Sequence, residues 1–230
     1  MKKLFFYLGD SSVAYRTIMK DHTDFVVNDV LIAKQRTVIT EQTHSNHVLI
    51  CSELDSGAGF DDHPQIADCD AMVTNLPNQF LLIRTADCTP ILCYDKNTHS
   101  IGAAHSGREG TRKNIAGKLI KAMQSEYNTN PADIQVWIGP GICKQHYQVN
   151  EKIYTEFIQT CKLNGIQPDE AEDFCINIQD VITKQLIQSG IKLEHINKNA
   201  ICTYESDAHF SFRRDGTHNR QINVIGLIDG

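Results

Sequence analysis

FLLIRTADCTPILCYDKNTHSIGAAHSGREGTRKNIAGKLIKAMQSEY, residues 80–127, decides the fold. Three apolar or β-branched runs, 80–85, 90–94 and 101–104, alternate with polar breaks and read as strands. Asp95-Lys96-Asn97-Thr98 reads as a hairpin turn between the second and the third. From Gly107 the period changes: Ile115, Leu119, Ile120 and Met123 share one helical face, which predicts a helix over 107–127 with Thr111 as its N-cap.

Upstream of this block, 24–31, 37–40 and 48–52 carry further strand-like runs, and the apolar residues that follow Met1 read as a first strand. Downstream, 135–138 reads as a buried strand. A helix follows over 151–163, capped by Asn150 and stopped by Gly165. A second helix is expected over 168–189, ending before Gly190, and strands close the chain at 200–203 and 221–228. Strands dominate the first half, and no regular strand–helix–strand alternation runs through the whole. The expectation is therefore an α+β fold, a mixed β-sheet core with flanking helices. No fixed-period repeat, low-complexity tract or linker divides the chain, so residues 1–230 read as a single domain.

Composition narrows the function. With 41% hydrophobic residues the chain can bury a sizeable core. The formal charge of −6, from 28 acidic and 22 basic residues spread along the sequence, offers no basic face for nucleic acid. No apolar stretch approaches the ~20 residues that span a bilayer, so no membrane partner is expected. The N-terminal apolar run breaks at Asp10, which is too soon for an export signal. The eight cysteines, at 51, 69, 88, 93, 143, 161, 175 and 202, are scattered through apolar segments and read mostly as small buried hydrophobes, Cys143 included. These features point to a reducing, cytoplasmic setting in which a special cysteine acts as ligand or nucleophile. Neither composition nor pattern specifies an oligomeric state.

Three ligand-capable residues fall where a strand gives way to a turn: His44 in Glu-Gln-Thr-His-Ser-Asn-His, Cys88 in Thr-Ala-Asp-Cys-Thr-Pro and His105 in Ala-Ala-His-Ser-Gly. Two imidazoles and a thiolate suit zinc, and three protein ligands leave the fourth position that a catalytic site needs. The spacings of 44 and 17 residues match no short metal motif, so three inert, hydrogen-bonded residues are the alternative on spacing alone. His47, three residues after His44, competes as a ligand.

Several separated blocks carry a likeness that covers nearly the whole chain: Gln-Thr-His-Ser-Asn-His-Val at 42–48, Asp-Ala-Met-Val-Thr at 70–74, Arg-Thr-Ala-Asp-Cys-Thr-Pro at 84–90, His-Ser-Gly at 105–107, Ile-Gly-Pro-Gly-Ile-Cys at 138–143 with Tyr147 and Val149, and Phe-Ser-Phe-Arg-Arg-Asp-Gly-Thr at 210–217. In this order they resemble the YfiH/laccase-domain family. The resemblance implies a YfiH-like fold and a single zinc on His44, Cys88 and His105, with copper as a replacement. Members are described both as polyphenol oxidases and as purine nucleoside phosphorylases with adenosine deaminase and methylthioadenosine phosphorylase activity. A multicopper oxidase needs many histidines, and only His44 and His105 fall in matched blocks as ligands, which favours purine nucleoside and phosphate as substrates. One departure touches substrate preference: Arg108-Glu109 follows His-Ser-Gly, where the family commonly has Trp and then a basic residue.

For deamination a carboxylate must shuttle protons to the leaving ammonia. Asp87 is the candidate, with a purely structural acceptor as its other reading. For phosphorolysis the phosphate needs cations, and Arg84, Arg213 and Arg214 are candidates beside the amides of the helix after His105. Arginines on a polar loop are also often paired with acids such as Asp215. Gly139-Pro140-Gly141 reads as a tight turn. Two rival readings stand: a metal-free hydrolase with Cys88 as nucleophile and His105 as base, and a non-catalytic binding protein that retains an enzyme fold.

Overall fold

The computed structural model describes residues 2–21 and 23–229; Met1, with which the expected first strand opens, lies outside them. In chain order the elements are β1 (Lys2–Leu8), α1 (Tyr15–Lys20), β2 (Phe25–Val27), β3 (Val30–Ile32), β4 (Thr37–Ile39), β5 (Val48–Ile50), β6 (Ala71–Thr74), β7 (Phe80–Thr85), β8 (Thr89–Asp95), β9 (Ser100–Ser106), α2 (Arg108–Arg112), α3 (Ile115–Tyr127), β10 (Gln135–Ile138), α4 (Glu151–Leu163), α5 (Ile178–Gln188), β11 (Ile196–Lys198), α6 (Phe212–Asp215) and β12 (Gln221–Asp229). The strands form a four-stranded sheet, β1-β12-β7-β4, a six-stranded sheet, β11-β10-β8-β9-β6-β5, and the small hairpin β2-β3. Both large sheets mix parallel and antiparallel pairs, as the α+β reading expects.

Period-two alternation sorts the strand side chains into layers. Leu81, Ile83, Ile225 and Leu227 of the smaller sheet meet Met72, Leu92, Ile101 and Ala103 of the larger one in a common core. The opposite residues of the larger sheet, among them Val73, Ile91, Cys93 and Ala104, pack on Ile115, Leu119, Ile120 and Met123 of α3 and on α4 and α5. The outer face of the smaller sheet, with Phe80, Leu82, Ile222 and Val224, is covered by Ile18 of α1 and the β2-β3 hairpin. Gly102 lets α3 approach the sheet closely, because a Cβ there would lie 3.0 Å from a Leu119 methyl.

Five expectations need correction. The run 24–31 is two strands, because Asn28 and Asp29 both adopt left-handed backbone and turn the chain between Val27 and Val30. The helix expected over 107–127 breaks at Asn114, whose left-handed backbone ends the first turn and whose side chain caps α3 by accepting from the Gly117 N–H. Thr111 is therefore no N-cap; it is buried, and its hydroxyl donates to the Gly107 carbonyl. The helix expected from 168 begins only at Ile178, capped by Asn177, since Phe174 adopts left-handed backbone. Residues 200–203 make one isolated bridge, Cys202 to Gly141, and the strand lies instead at β11. Among the described residues no helix is long and apolar enough to cross a membrane.

Candidate functional site

The shortest link between the two sheets is Ala86, Asp87 and Cys88, which carry the chain from the end of β7 to the start of β8. His105 stands near the end of the neighbouring β9, and His44 lies in the loop after β4. Topology thus brings three strand ends to one point. The ligand atoms of His44, Cys88 and His105 all lie within 4.8 Å of one another. The Cys88 Sγ is 3.7 Å from the His44 Nε2, and the two imidazoles meet edge to face with centroids 4.9 Å apart.

A buried carboxylate organises this cluster. Asp70, fully buried at the head of β6, accepts from the His105 Nδ1–H at 2.7 Å. That bond sets the tautomer and leaves the His105 Nε2 for the cluster. The same carboxylate accepts from the backbone N–H groups of Thr43, His44 and Ser45 and from the Ser45 hydroxyl. These bonds hold the loop in which His44 adopts left-handed backbone. Burial works against Asp70 ionising, but His105 and Ser45 outweigh it and hold the carboxyl below its ordinary value. Burial also opposes charge on Cys88 and His105. Each is the other's main remedy, so the thiol falls to about 6 and the imidazole rises to about 9.

Gly107 completes the wall. A Cβ there would sit 2.6 Å from the His44 ring and 2.9 Å from the Cys88 sulfur, so only glycine leaves the space that the ligand atoms enclose. Two imidazoles and a low-pKa thiolate around such a space, with one imidazole held by a carboxylate, fit a zinc ion on the chemistry of the donor set.

The cluster lies on the wall of a cavity of about 940 Å³. Arg16, Arg84, Arg108, Arg213 and Arg220 line it, and Asp87 and Glu109 are the acids on its wall. Tyr15, Tyr147, Ile142 and Phe212 supply flat or apolar surface. Arg84 lies over the Tyr15 ring and donates to Gln42, the Thr40 carbonyl and the Tyr15 hydroxyl. Arg213 lies over Tyr147, and its Nη1 donates to the carbonyls of His146 and Gln148.

The other predicted residues fall differently. Arg214 is outside the cavity lining; it donates to the carbonyls of Thr203, Tyr204, Ser206 and His209 and pairs with Asp215. Asp87 lines the cavity, but its carboxylate accepts from the hydroxyls of Thr203 and Ser211 and from the Arg213 N–H. His47 turns away and pairs with Asp68 at 3.0 Å, so it does not join the cluster. Asp70 stands within the 70–74 block, and its one local mark is a carboxylate directly before the apolar run Ala71-Met72-Val73. Sequence reasoning missed its role and also passed over Arg16 and Arg220, whose relevance depends on long-range packing.

A family model described as multi-copper polyphenol oxidoreductase laccase matches residues 8–228. Among similar proteins, the purine nucleoside phosphorylase YlmD of Bacillus subtilis is 31% identical over 199 residues, covering 84% of this chain and 71% of that one. A purine nucleoside phosphorylase of Haemophilus influenzae is 29% identical over 228 residues, covering 96% and 86%. Of solved structures, YlmD from Geobacillus stearothermophilus superposes with a TM-score of 0.79 at 23% identity, covering 100% of this chain and 92% of its own. The Bacillus licheniformis hypothetical protein YfiH gives 0.76 at 28% identity, covering 85% and 75%.

Proposed function

The chain belongs to the multi-copper polyphenol oxidoreductase laccase family, and from that premise we propose that it is a zinc-dependent purine nucleoside phosphorylase. The observation that carries the reading is the cavity's charge: five arginines against two carboxylates in a chain whose formal charge is −6. Such a concentration of cations beside apolar walls suits an anionic co-substrate and an aromatic base. The relatives named purine nucleoside phosphorylase support the same reading.

In phosphorolysis a phosphate oxygen forms a bond to the ribose C1′ while the bond from C1′ to the purine nitrogen breaks, the base leaving with the electron pair and taking up a proton. Arg84, Arg213 and Arg220 are proposed to hold the phosphate, and Tyr147 and Phe212 to flank the purine. Asp87 is proposed to act by positioning, because its hydroxyl and amide partners tie the 203–213 wall to the sheet junction. His44, Cys88 and His105 would hold zinc, which supplies Lewis acidity at neutral pH; copper is the replacement the same donors accept. Adenosine, inosine and methylthioadenosine are the proposed nucleosides, with adenosine deamination as a companion activity and a cytoplasmic setting.

A second reading has its own support. A thiol brought to about 6 beside His105 suits a metal-free cysteine hydrolase. The test is product analysis with adenosine and inosine, with and without phosphate, alongside zinc content. Phosphate-dependent release of free base and ribose 1-phosphate, with the zinc equivalent of the His44, Cys88 and His105 cluster lost in C88S, is the expected result. Arg213→Ala should raise the KM for phosphate, whereas Arg214→Ala should lower stability and leave that KM unchanged. Phosphate-independent hydrolysis by zinc-free protein, abolished by alkylating Cys88, would transfer the assignment to the cysteine mechanism.

A further inference from the structure

Two segments far apart in sequence carry matching patterns, Cys143-Lys-Gln-His146 and Cys202-Thr-Tyr-Glu205. In each, a cysteine precedes a second metal-capable side chain by three residues, and the fold brings the pairs face to face. Their four ligand atoms lie within 4.8 Å of one another. The His146 Nδ1 is 3.2 Å from the Cys143 sulfur, 3.8 Å from the Cys202 sulfur and 3.3 Å from a Glu205 oxygen. That oxygen is 4.0 Å from the Cys143 sulfur. A tetrahedral ion with metal–sulfur bonds near 2.3 Å and metal–nitrogen or –oxygen bonds near 2.0 Å keeps its ligand atoms about 3.3–3.8 Å apart. The cluster is close to that spacing already.

We propose that Cys143, His146, Cys202 and Glu205 form a second, structural zinc site, distinct from the His44, Cys88 and His105 cluster. Four protein donors leave no open position, which is the mark of a structural rather than a catalytic ion. The Cys143 N–H donates to the Cys202 sulfur at 3.3 Å, which ties the two segments together at the cluster. A disulfide would use both sulfurs but leaves unexplained why an imidazole and a carboxylate converge on the same point. Without a cation, burial first, then Cys202 and Glu205, push the Cys143 thiol up to about 11. Zinc would replace the thiol protons and bind the four donors together.

The site would act on the cavity at one remove. It staples the loop that carries Ile142 and Tyr147 to the turn whose Thr203 hydroxyl donates to Asp87 and whose carbonyls receive Arg214. The His146 carbonyl in turn accepts from Arg213. Zinc here would set the position of the wall on which Arg213 and Tyr147 stand.

The proposal is independent of the reaction assigned above, and its test uses the full chain. Cys88→Ser removes a donor from the first cluster only. That variant, prepared reduced and metal-free, should bind one equivalent of zinc. With cobalt it should give the intense thiolate-to-metal absorption of a tetrahedral dithiolate complex. Zinc should also protect Cys143 and Cys202 from alkylation, read by peptide mass mapping. Wild-type protein selectively alkylated at Cys88 repeats the measurement without a substitution. No uptake in either preparation, uptake that leaves Cys143 and Cys202 as reactive as before, or a Cys143–Cys202 disulfide in protein kept under thiol would overturn the proposal.

Discussion

Replacing Asp70 by Asn should cost both stability and metal, in amounts that its hydrogen bonds allow one to work out. Oδ1 accepts from the His44 N–H and the His105 Nδ1–H, and Oδ2 from the N–H groups of Thr43 and Ser45 and the Ser45 hydroxyl. If Asn keeps its oxygen toward His105, its amide group faces two backbone N–H donors that have no other acceptor in that position. Each donor left unpaired in a buried site costs about 1–3 kcal/mol. With partial relaxation, and the Ser45 hydroxyl turning to accept, the total is about 3–5 kcal/mol. Zinc affinity at the His44, Cys88 and His105 cluster should fall about 10–100-fold, because His105 loses the partner that orients it. The linkage sign follows from the lowered carboxyl: Asp70 contributes stability that is present at neutral pH and lost as acidification passes below the ordinary Asp value of 3.8. The wild type should therefore lose more stability than the Asn variant between neutral pH and pH 3. Urea unfolding across that range and zinc competition with a chelator read both effects. A variant within about 1 kcal/mol of wild type, with zinc affinity changed less than about threefold, would refute the reasoning.

Gly107→Ala should abolish zinc uptake at the first cluster while shifting the melting temperature little. The backbone there, φ −82° and ψ 177°, suits alanine, but the new methyl would enter the ligand space; elemental analysis beside a thermal melt separates the two effects. In metal-free protein Cys88 should react with iodoacetamide along a pH profile centred near 6, falling as pH drops through that value because the thiolate is lost. A midpoint near the ordinary thiol value of 9.0 would contradict the role given to His105.

Residues 80–127 made the sheet core legible because each strand there is a continuous apolar run and the switch to helical period is abrupt. Two left-handed asparagines escaped that reading: Asn28 breaks a run whose hydrophobic pattern continues beyond it, and Asn114 divides a polar first turn from the apolar face that starts at Ile115. The helix expected from 168 failed for a related reason, since Phe174 in left-handed backbone carries no compositional warning. At the site, the strand-end rule and the family likeness drew attention to His44, Cys88 and His105. Distance alone decided the rest: His47 was drawn off by Asp68, and Arg214 by four carbonyls. Cys143 read as a core residue because its partners, Cys202 and Glu205, lie some sixty positions away, beyond the reach of any local pattern.

At the β7–β8 crossing only three residues carry the chain from one sheet to the other, and the last of them is Cys88. That short tether allows little slack, so the sulfur's position is gauged by the thickness of the apolar filling between the layers. Leu81, Ile83, Leu92, Ile101 and Ala103 act there as a shim. A methylene added or removed at any of them would tilt one sheet against the other and move Cys88 relative to His105, anchored on β9, and to His44, held in its loop by Asp70. Core substitutions mild enough for the fold to tolerate would then register first as lost metal and lost turnover, and interior packing in this protein would set catalytic alignment as much as stability.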